Sequence, residues 1–133
     1  MRQWEIQKSI YQALKDDVDI TAVVTGVYDE VPQGTKYPYI VIGEDTALQW
    51  DTGSSVGAES TLTIHVWSRD YGRKECKEIM SLVYDVLHEA ELSIDDAHEV
   101  FCYWEFAETF LDTDGKTRHG VMRFRTLTED MAG

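Results

Sequence analysis

Alternation of apolar and polar side chains is clearest in the segment STLTIHVW, residues 60–67. Leu62, Ile64 and Val66 point to one side of an extended chain, because successive side chains of a strand point to opposite faces. The residues between and beside them are Thr61, Thr63, His65 and Trp67. The segment predicts a β-strand with one face packed on a core.

Helical spacing dominates on both sides of this strand. Downstream, residues 73–89 repeat apolar side chains at intervals of three and four, the pattern of an amphipathic helix. These side chains are Cys76, Ile79, Met80, Val83, Val86 and Leu87. Upstream, residues 4–15 follow the same pattern with Ile6, Ile10, Ala13 and Leu14. We expect two principal helices, and a short helical turn at residues 20–24.

Four further segments predict strands. Residues 27–31 and 39–45 are β-rich and are separated by two prolines and a glycine, which interrupt ladders and fix turns. Residues 99–111 and 121–127 are joined by a loop containing Asp114-Gly115, a strong hairpin signal. These tight connections favour an α+β fold, with a mainly antiparallel sheet of four to five strands and two principal helices packed on one face.

Strict alternation along residues 99–111 assigns large side chains to both faces of the sheet. One face would carry Val100, Cys102, Trp104, Phe106 and Phe110. The other would carry Phe101, Tyr103, Ala107 and Leu111. The sheet therefore needs a second cover besides its helices. A subunit interface and burial within the monomer by a long loop are equally good candidates.

The chain is predicted to be a single domain over residues 1–133. Residues 49–58 are polar and rich in glycine and serine, and Trp50 stands alone among small side chains. This composition predicts a long flexible loop. Residues 129–133 are expected to form a disordered tail.

Composition limits the classes of function. The chain has 12 basic and 25 acidic residues and a formal net charge of −13, which disfavours a surface that grips duplex DNA by neutralising its phosphates. A solubility surface, a mimic of DNA and a conduit along which DNA slides are all compatible with this charge. Neither a signal peptide nor a membrane-spanning run is recognisable, which predicts a product made in a reducing cytoplasm without a membrane partner.

Residues with catalytic or ligand-binding potential lack the spacing that such chemistry needs. The histidines show neither HxH nor HExxH spacing, and His65 is expected to be a partly buried packing residue. Cys76 and Cys102 fit no metal or disulfide framework and are interpreted as reduced core thiols. Gly115-Lys116-Thr117 lacks the glycine that a phosphate loop needs five residues earlier, where Phe110 stands. We expect no catalytic residue, no cofactor and no metal, and predict that the chain is not an enzyme.

Three segments together resemble the tail-completion, or tail-terminator, proteins of long-tailed phages and gene transfer agents. They are Val31-Pro32-Gln33 with residues 37–43, residues 62–69, and Asp112-Thr113-Asp114-Gly115 with residues 118–125. The predicted elements follow in the same order as in that family, from the first helix to about Thr128. The resemblance therefore covers most of the chain.

This resemblance implies a structural protein of the tail or neck of a virion or particle, made in the cytoplasm of the bacterial host. It implies a ring that assembles on the last ring of the tail tube and ends its polymerisation. The ring is expected to be a homo-hexamer. The ring would also offer the docking surface for the head connector. Its implied partners are further copies of the chain, the tail-tube protein and the connector or neck protein, while DNA passes through the lumen without specific binding.

A closed ring needs a heterologous interface, in which one patch of each subunit meets a different patch of the next. We expect residues 49–58 to be an arm that becomes ordered on assembly, with Trp50 as its anchor. The subunit interface is predicted to contain Trp50, Asp51, Trp67, Arg69, Tyr71, Tyr103 and Arg118. Two alternatives stay open: a neck or head-closure protein on the portal side, and an acidic DNA-mimic inhibitor.

Overall fold

A computed structural model describes residues 3–51, 56–95 and 98–130 of the chain. Within these ranges the helices are α1 (Gln3–Asp16), α2 (Val18–Thr21) and α3 (Lys74–Leu87). The strands are β1 (Val27–Tyr28), β2 (Tyr39–Asp51), β3 (Val56–Ser68), β4 (Ala90–Asp95), β5 (His98–Leu111) and β6 (Arg118–Asp130). None of the helices in the described ranges has the length and apolar character needed to span a bilayer.

The six strands form one sheet in the order β1-β2-β3-β6-β5-β4. The predicted α+β class, the mainly antiparallel sheet and the two principal helices are confirmed, but the predicted count of four to five strands is wrong. Residues 90–95 form β4 against β5 directly after α3, a six-residue strand too short to stand out in the sequence. Residues 29–38 carry the chain back along β1, so β1 pairs with β2 in parallel.

The core lies between one face of the sheet and the helices. Its helical side consists of Ile6, Ile10 and Leu14 from α1, Ile20 from α2, and Cys76, Ile79, Met80, Val83 and Leu87 from α3. Its sheet side includes Ile40, Ile42, Leu62, Ile64, Val66, Val100, Cys102, Met122 and Phe124. The alternation predicted for residues 60–67 is confirmed, because Leu62, Ile64 and Val66 are all buried in this core.

A β-bulge in β5 overturns the predicted faces of residues 99–111. Trp104 lies opposite Phe124 and Phe106 lies opposite Arg123, so Glu105 has no partner on β6. One unpaired residue reverses the side to which every later side chain points. Phe106 therefore shares a face with Tyr103, and Trp104 stays on the helix side with its ring edge-on to Tyr84. The prediction is wrong for the residues after the bulge: Phe106, Ala107, Phe110 and Leu111.

The prediction of a loop over residues 49–58 is also wrong at both ends of that segment. Residues 49–51 belong to β2 and residues 56–58 to β3, with Asp51 opposite Val56 and Trp50 opposite Gly57. In this region β3 pairs with β2 on one side and β6 on the other, and ladder hydrogen bonds on both edges override the low strand propensity of small residues. Residues 52–55 lie outside the described residues.

Strand β6 extends into the segment that was predicted to be a disordered tail. Glu129 and Asp130 are the last residues of β6 and pair with Glu99 and His98 of β5. Residues 131–133 lie outside the described residues, so the prediction of a disordered tail applies to them alone.

Candidate binding surface

The sheet face opposite the core is defined here as the open face, because none of the described helices packs on it. Strand register places its side chains in rows across the sheet. The first row contains Tyr39, Trp67, His119 and Phe110, from β2, β3, β6 and β5. Two further rows contain Thr63, Arg123 and Phe106, and Thr61, Arg125 and Tyr103. Tyr103, Phe106 and Phe110 remain 38%, 40% and 37% exposed.

Aromatic stacking organises the first row. The rings of Trp67 and His119 stack with centroids 3.7 Å apart and planes 14° from parallel. Phe110 approaches His119 edge-on, at a centroid distance of 4.8 Å. Offset stacking and edge-to-face contacts are the favoured geometries of aromatic pairs. The row is therefore a fixed apolar surface rather than a set of independent side chains.

A chain of hydrogen bonds joins β2, β3 and β6 beside this row. His65 Nδ1 lies 2.7 Å from His119 Nε2, and His65 Nε2 lies 2.7 Å from Glu44 Oε1. Two ring nitrogens share one hydrogen bond only if one donates and the other accepts, so the pair cannot carry two charged imidazoles with this bond intact. Burial, and then the neighbouring His65, lower the pKa of His119. The Glu44 pKa is lowered too, first by a backbone hydrogen bond and then by His65.

Basic groups on the open face stand beside aromatic rings and carboxylates. The Arg123 guanidinium lies over the Phe106 ring, 5.7 Å from its centroid. Arg125 Nε donates to Glu59 Oε1 at 2.8 Å. Arginine and aromatic side chains are enriched at the energetically dominant centres of protein interfaces. In a chain whose net charge is −13, this pairing of cations with rings favours contact with protein.

The β5–β6 turn is fixed to the loop after β3 at one end of the sheet. Asp114 accepts hydrogen bonds from the backbone N–H groups of Lys116 and Thr117 and from the Thr117 hydroxyl, which hold the pKa of this carboxyl far below its usual range. Arg69 Nε donates to Thr117 Oγ1 at 3.1 Å, and its guanidinium lies 4.3 Å from the centroid of the Tyr37 ring. The predicted hairpin is confirmed, with Gly115 at a φ of 72°. We call this group of loops the loop end.

The structure separates the seven residues predicted for the subunit interface. Trp67 and Tyr103 lie on the open face, three rows apart, whereas Arg69 and the 99% exposed Tyr71 lie at the loop end. Arg118 lies opposite the buried Ser68, on the other face of the sheet, and among the described residues its Nε atom is buried without a hydrogen-bond partner. Trp50 and Asp51 are backbone-paired in β2, and their side chains lie outside the description.

The sequence patterns did not predict several residues of the open face. His65 and His119 are 54 positions apart, and only the β3–β6 register brings their rings together. Phe106 and Phe110 were assigned to the wrong face because the bulge leaves no clear mark in the sequence. An independent prediction that residues 60–67 pair with residues 119–126 would have found the histidine pair.

The described residues carry no constellation of the kind that catalysis or metal binding uses. Within residues 3–51, 56–95 and 98–130, His, Cys, Asp and Glu side chains form no group of three that could hold a metal ion. Burial raises the pKa of Cys76 to about 11 and that of Cys102 to about 12, so both thiols are neutral at neutral pH.

Fold and surface together define a structural, partner-binding protein. The sequence matches the family described as "Tail completion protein gp17" over residues 8–129. It is 30% identical over 120 residues to the tail completion protein gp17 of Bacillus phage SPP1, covering 90% of this chain and 89% of the relative. The chain therefore belongs to the tail completion protein gp17 family, whose members are structural proteins of the tails of phage and gene transfer agent particles.

Two solved structures have the same fold. A chain in the virion of a native gene transfer agent particle is 25% identical, with a TM-score of 0.84, and the match covers 93% of this chain and 94% of that one. The structure of the bacteriophage SPP1 gp17 protein is 27% identical, with a TM-score of 0.65 and coverage of 95% and 94%. The resemblance read from the sequence is thus confirmed at the level of the family.

Proposed function

We propose that copies of this chain form a ring, six in number, on the last ring of the tail tube. The ring ends polymerisation of the tube and offers the surface to which the head connector docks. Family membership supports the setting, and the observation that carries the proposal is the open face. A row of stacked aromatic rings, with the Arg123 guanidinium over Phe106 elsewhere on the same face, is an unusual surface to leave in water, and it favours a face that becomes buried in an assembly.

Four of the seven interface residues predicted from sequence are placed in this proposal, divided between two places. Trp67 and Tyr103, together with Phe106 and Phe110, are assigned to the part of the open face that is buried against a neighbouring protein of the tail. Arg69 and Tyr71 are assigned to a second contact at the loop end, where Tyr71 is 99% exposed. The open face and the loop end then give a ring two different contact surfaces, one for the tube and one for the connector.

The charge of the chain supports passage of DNA without binding. Six copies carry a formal charge of 6 × −13, or about −78, and carboxylates in a bore repel phosphates. Duplex DNA is accordingly expected to show no retention by the purified protein at about 0.15 M ionic strength, where charges are still felt over about 8 Å. Tight, salt-sensitive binding of duplex DNA would contradict this part of the proposal.

The ring is tested by light scattering over a range of concentrations, with negative-stain images of the same samples. An annulus with the mass of six copies is the expected result, formed either by the protein alone or after addition of the particle's tail-tube protein. Pull-down with the tail-tube protein, compared with portal-side proteins, separates this function from head closure. A protein that stays monomeric with either partner and inhibits a DNA-binding enzyme would be a DNA mimic.

Residue substitutions test the open face within this assembly. Tyr103→Ala and Phe106→Ala remove rings that are about two-fifths exposed, so the monomer should stay folded while capping of the tube is lost. Trp4→Ala is the matched control, because Trp4 is a 60% exposed aromatic residue on α1, away from the open face. Capping that survives both open-face substitutions would refute the assignment of this surface.

A further inference from the structure

Two unpaired edges of the sheet lie on opposite sides of the molecule. Among the described residues, no strand pairs with the outer edge of β2 beyond Val41, and none pairs with the outer edge of β4. An unpaired edge presents backbone N–H and C=O groups that readily hydrogen-bond to another strand. Each copy therefore has two places to which a strand of another chain can be added.

The strand register places these two edges at the same level along the strand direction. One row of paired residues consists of Ala90, Cys102, Thr126, Ser60 and Ala47. The next two rows lead in the same way from Glu91 to Leu48 and from Leu92 to Gln49. Residue numbers rise together along both edges, so β4 and β2 run in the same direction.

Two strand edges that meet in a cyclic ring must lie at the same level along the strand direction and must run in the same direction. Rotation about the ring axis preserves both properties, so β4 of one copy reaches β2 of the next in a parallel orientation, and the contact repeats until the ring closes. The strands of a closed sheet are tilted, which staggers the register at such a joint. A twofold dimer would instead pair one edge with itself, in an antiparallel orientation.

We infer that β4 of one copy and residues 44–51 of a second copy form the joint between neighbouring subunits. This inference rests on the ring of the proposed function and identifies the surface that closes it. A groove of about 500 Å³ between α1 and β4 lies beside the edge, with Ala13, Leu92 and Ile94 among its lining residues. It leaves room for the side chains that an arriving strand directs toward the helices.

Cross-linking between two different single variants tests this joint directly. Thr46→Cys and Glu91→Cys each place a thiol at an exposed position on one edge. Each chain carries only one introduced thiol, so a cross-link between the two must join two copies. A short bismaleimide then reports whether residue 46 of one copy lies beside residue 91 of another. The native Cys76 and Cys102 are buried, so they contribute little background reaction.

The expected result is a cross-linked dimer in the mixture of the two variants and none in either variant alone. Glu108→Cys, an exposed position in β5 on the open face, replaces Glu91→Cys as the matched control and should give none with Thr46→Cys. Self-cross-linking of Glu91→Cys would overturn the joint in favour of a twofold contact. A ring seen by light scattering without a cross-link in the mixture would overturn the joint and leave the ring standing. A strict monomer without cross-links, both alone and after addition of the particle's tail-tube protein, would overturn both.

Discussion

The histidine pair on the open face makes the free energy of unfolding depend on pH. Folding lowers the pKa of His119 below its ordinary 6.5, so below that pH the unfolded chain binds more protons than the folded one. Stability from this residue is fully present above pH 6.5 and is lost as the pH falls below it. We therefore expect the free energy of unfolding to decline progressively as the pH falls below 6.5.

Urea unfolding between pH 8 and pH 5 measures this effect, with His119→Gln as the comparison. Glutamine retains a hydrogen-bonding group near His65 but does not titrate, so the decline below pH 6.5 should become shallower in the variant. Parallel curves for the two proteins would mean that His119 does not contribute to the acid loss.

Gly120 marks the closest approach of α3 to the sheet. A Cβ added at this position would stand 2.6 Å from Met80 Sδ and 2.9 Å from Cys76 Sγ. Gly120→Ala should therefore destabilise the protein by about 1–3 kcal/mol, the usual cost of overpacking a core. In a Met80→Ala background the same substitution should cost clearly less, because the nearest clashing atom is gone. Additive effects in this double-mutant cycle, measured by denaturant unfolding, would show that the clash is not with Met80.

At the scale of elements, the bulge in β5 decides which aromatic residues reach the open face. Deletion of Glu105 would remove the unpaired residue and place Phe106 directly after Trp104, so the ladder becomes regular while Phe106 and Phe110 stay on the open face. Because every cross-strand pair is kept, we expect the free energy of unfolding of the deletion variant to stay within about 1 kcal/mol of the parent. Glu105→Ala keeps the bulge and changes an exposed side chain, so it should stay within about 0.5 kcal/mol of the parent. A deletion variant less stable than the parent by about 2 kcal/mol or more would mean that the bulge itself is required, through the local twist that it gives β5.

What the sequence could predict at this scale depended on how locally each element is determined. The strand at residues 60–67 and the helix α3 have strong periodicity of their own, and both formed as expected. The parallel pairing of β1, the short β4 and the Glu105 bulge depend on partners distant in the sequence, and no local pattern marks them. For the same reason the aromatic character of the candidate surface was predictable, whereas the histidine pair and the rows of the open face were not.

At the scale of the whole molecule, charge opposes the association that the open face and the sheet edges favour. Every copy brings a net charge of −13, and the two edges themselves include Glu44, Asp45 and Glu91. Apolar and backbone contacts must therefore outweigh a repulsion that dissolved ions weaken. In the proposed ring, such a balance would keep copies apart at low concentration and let a template, such as a finished tube, supply the missing free energy.

This balance predicts that ring assembly strengthens with salt. Raising sodium chloride from about 0.05 M to about 0.5 M shortens the screening length severalfold, so the apparent dissociation constant of the ring should fall by on the order of tenfold. Asp45→Asn with Glu91→Gln should assemble more tightly at low salt and respond less to added salt. Light scattering in chloride and in sulfate at matched ionic strength separates screening from the salting-out effect of sulfate. A ring that dissociates as salt rises would mean that ion pairs between copies hold it together.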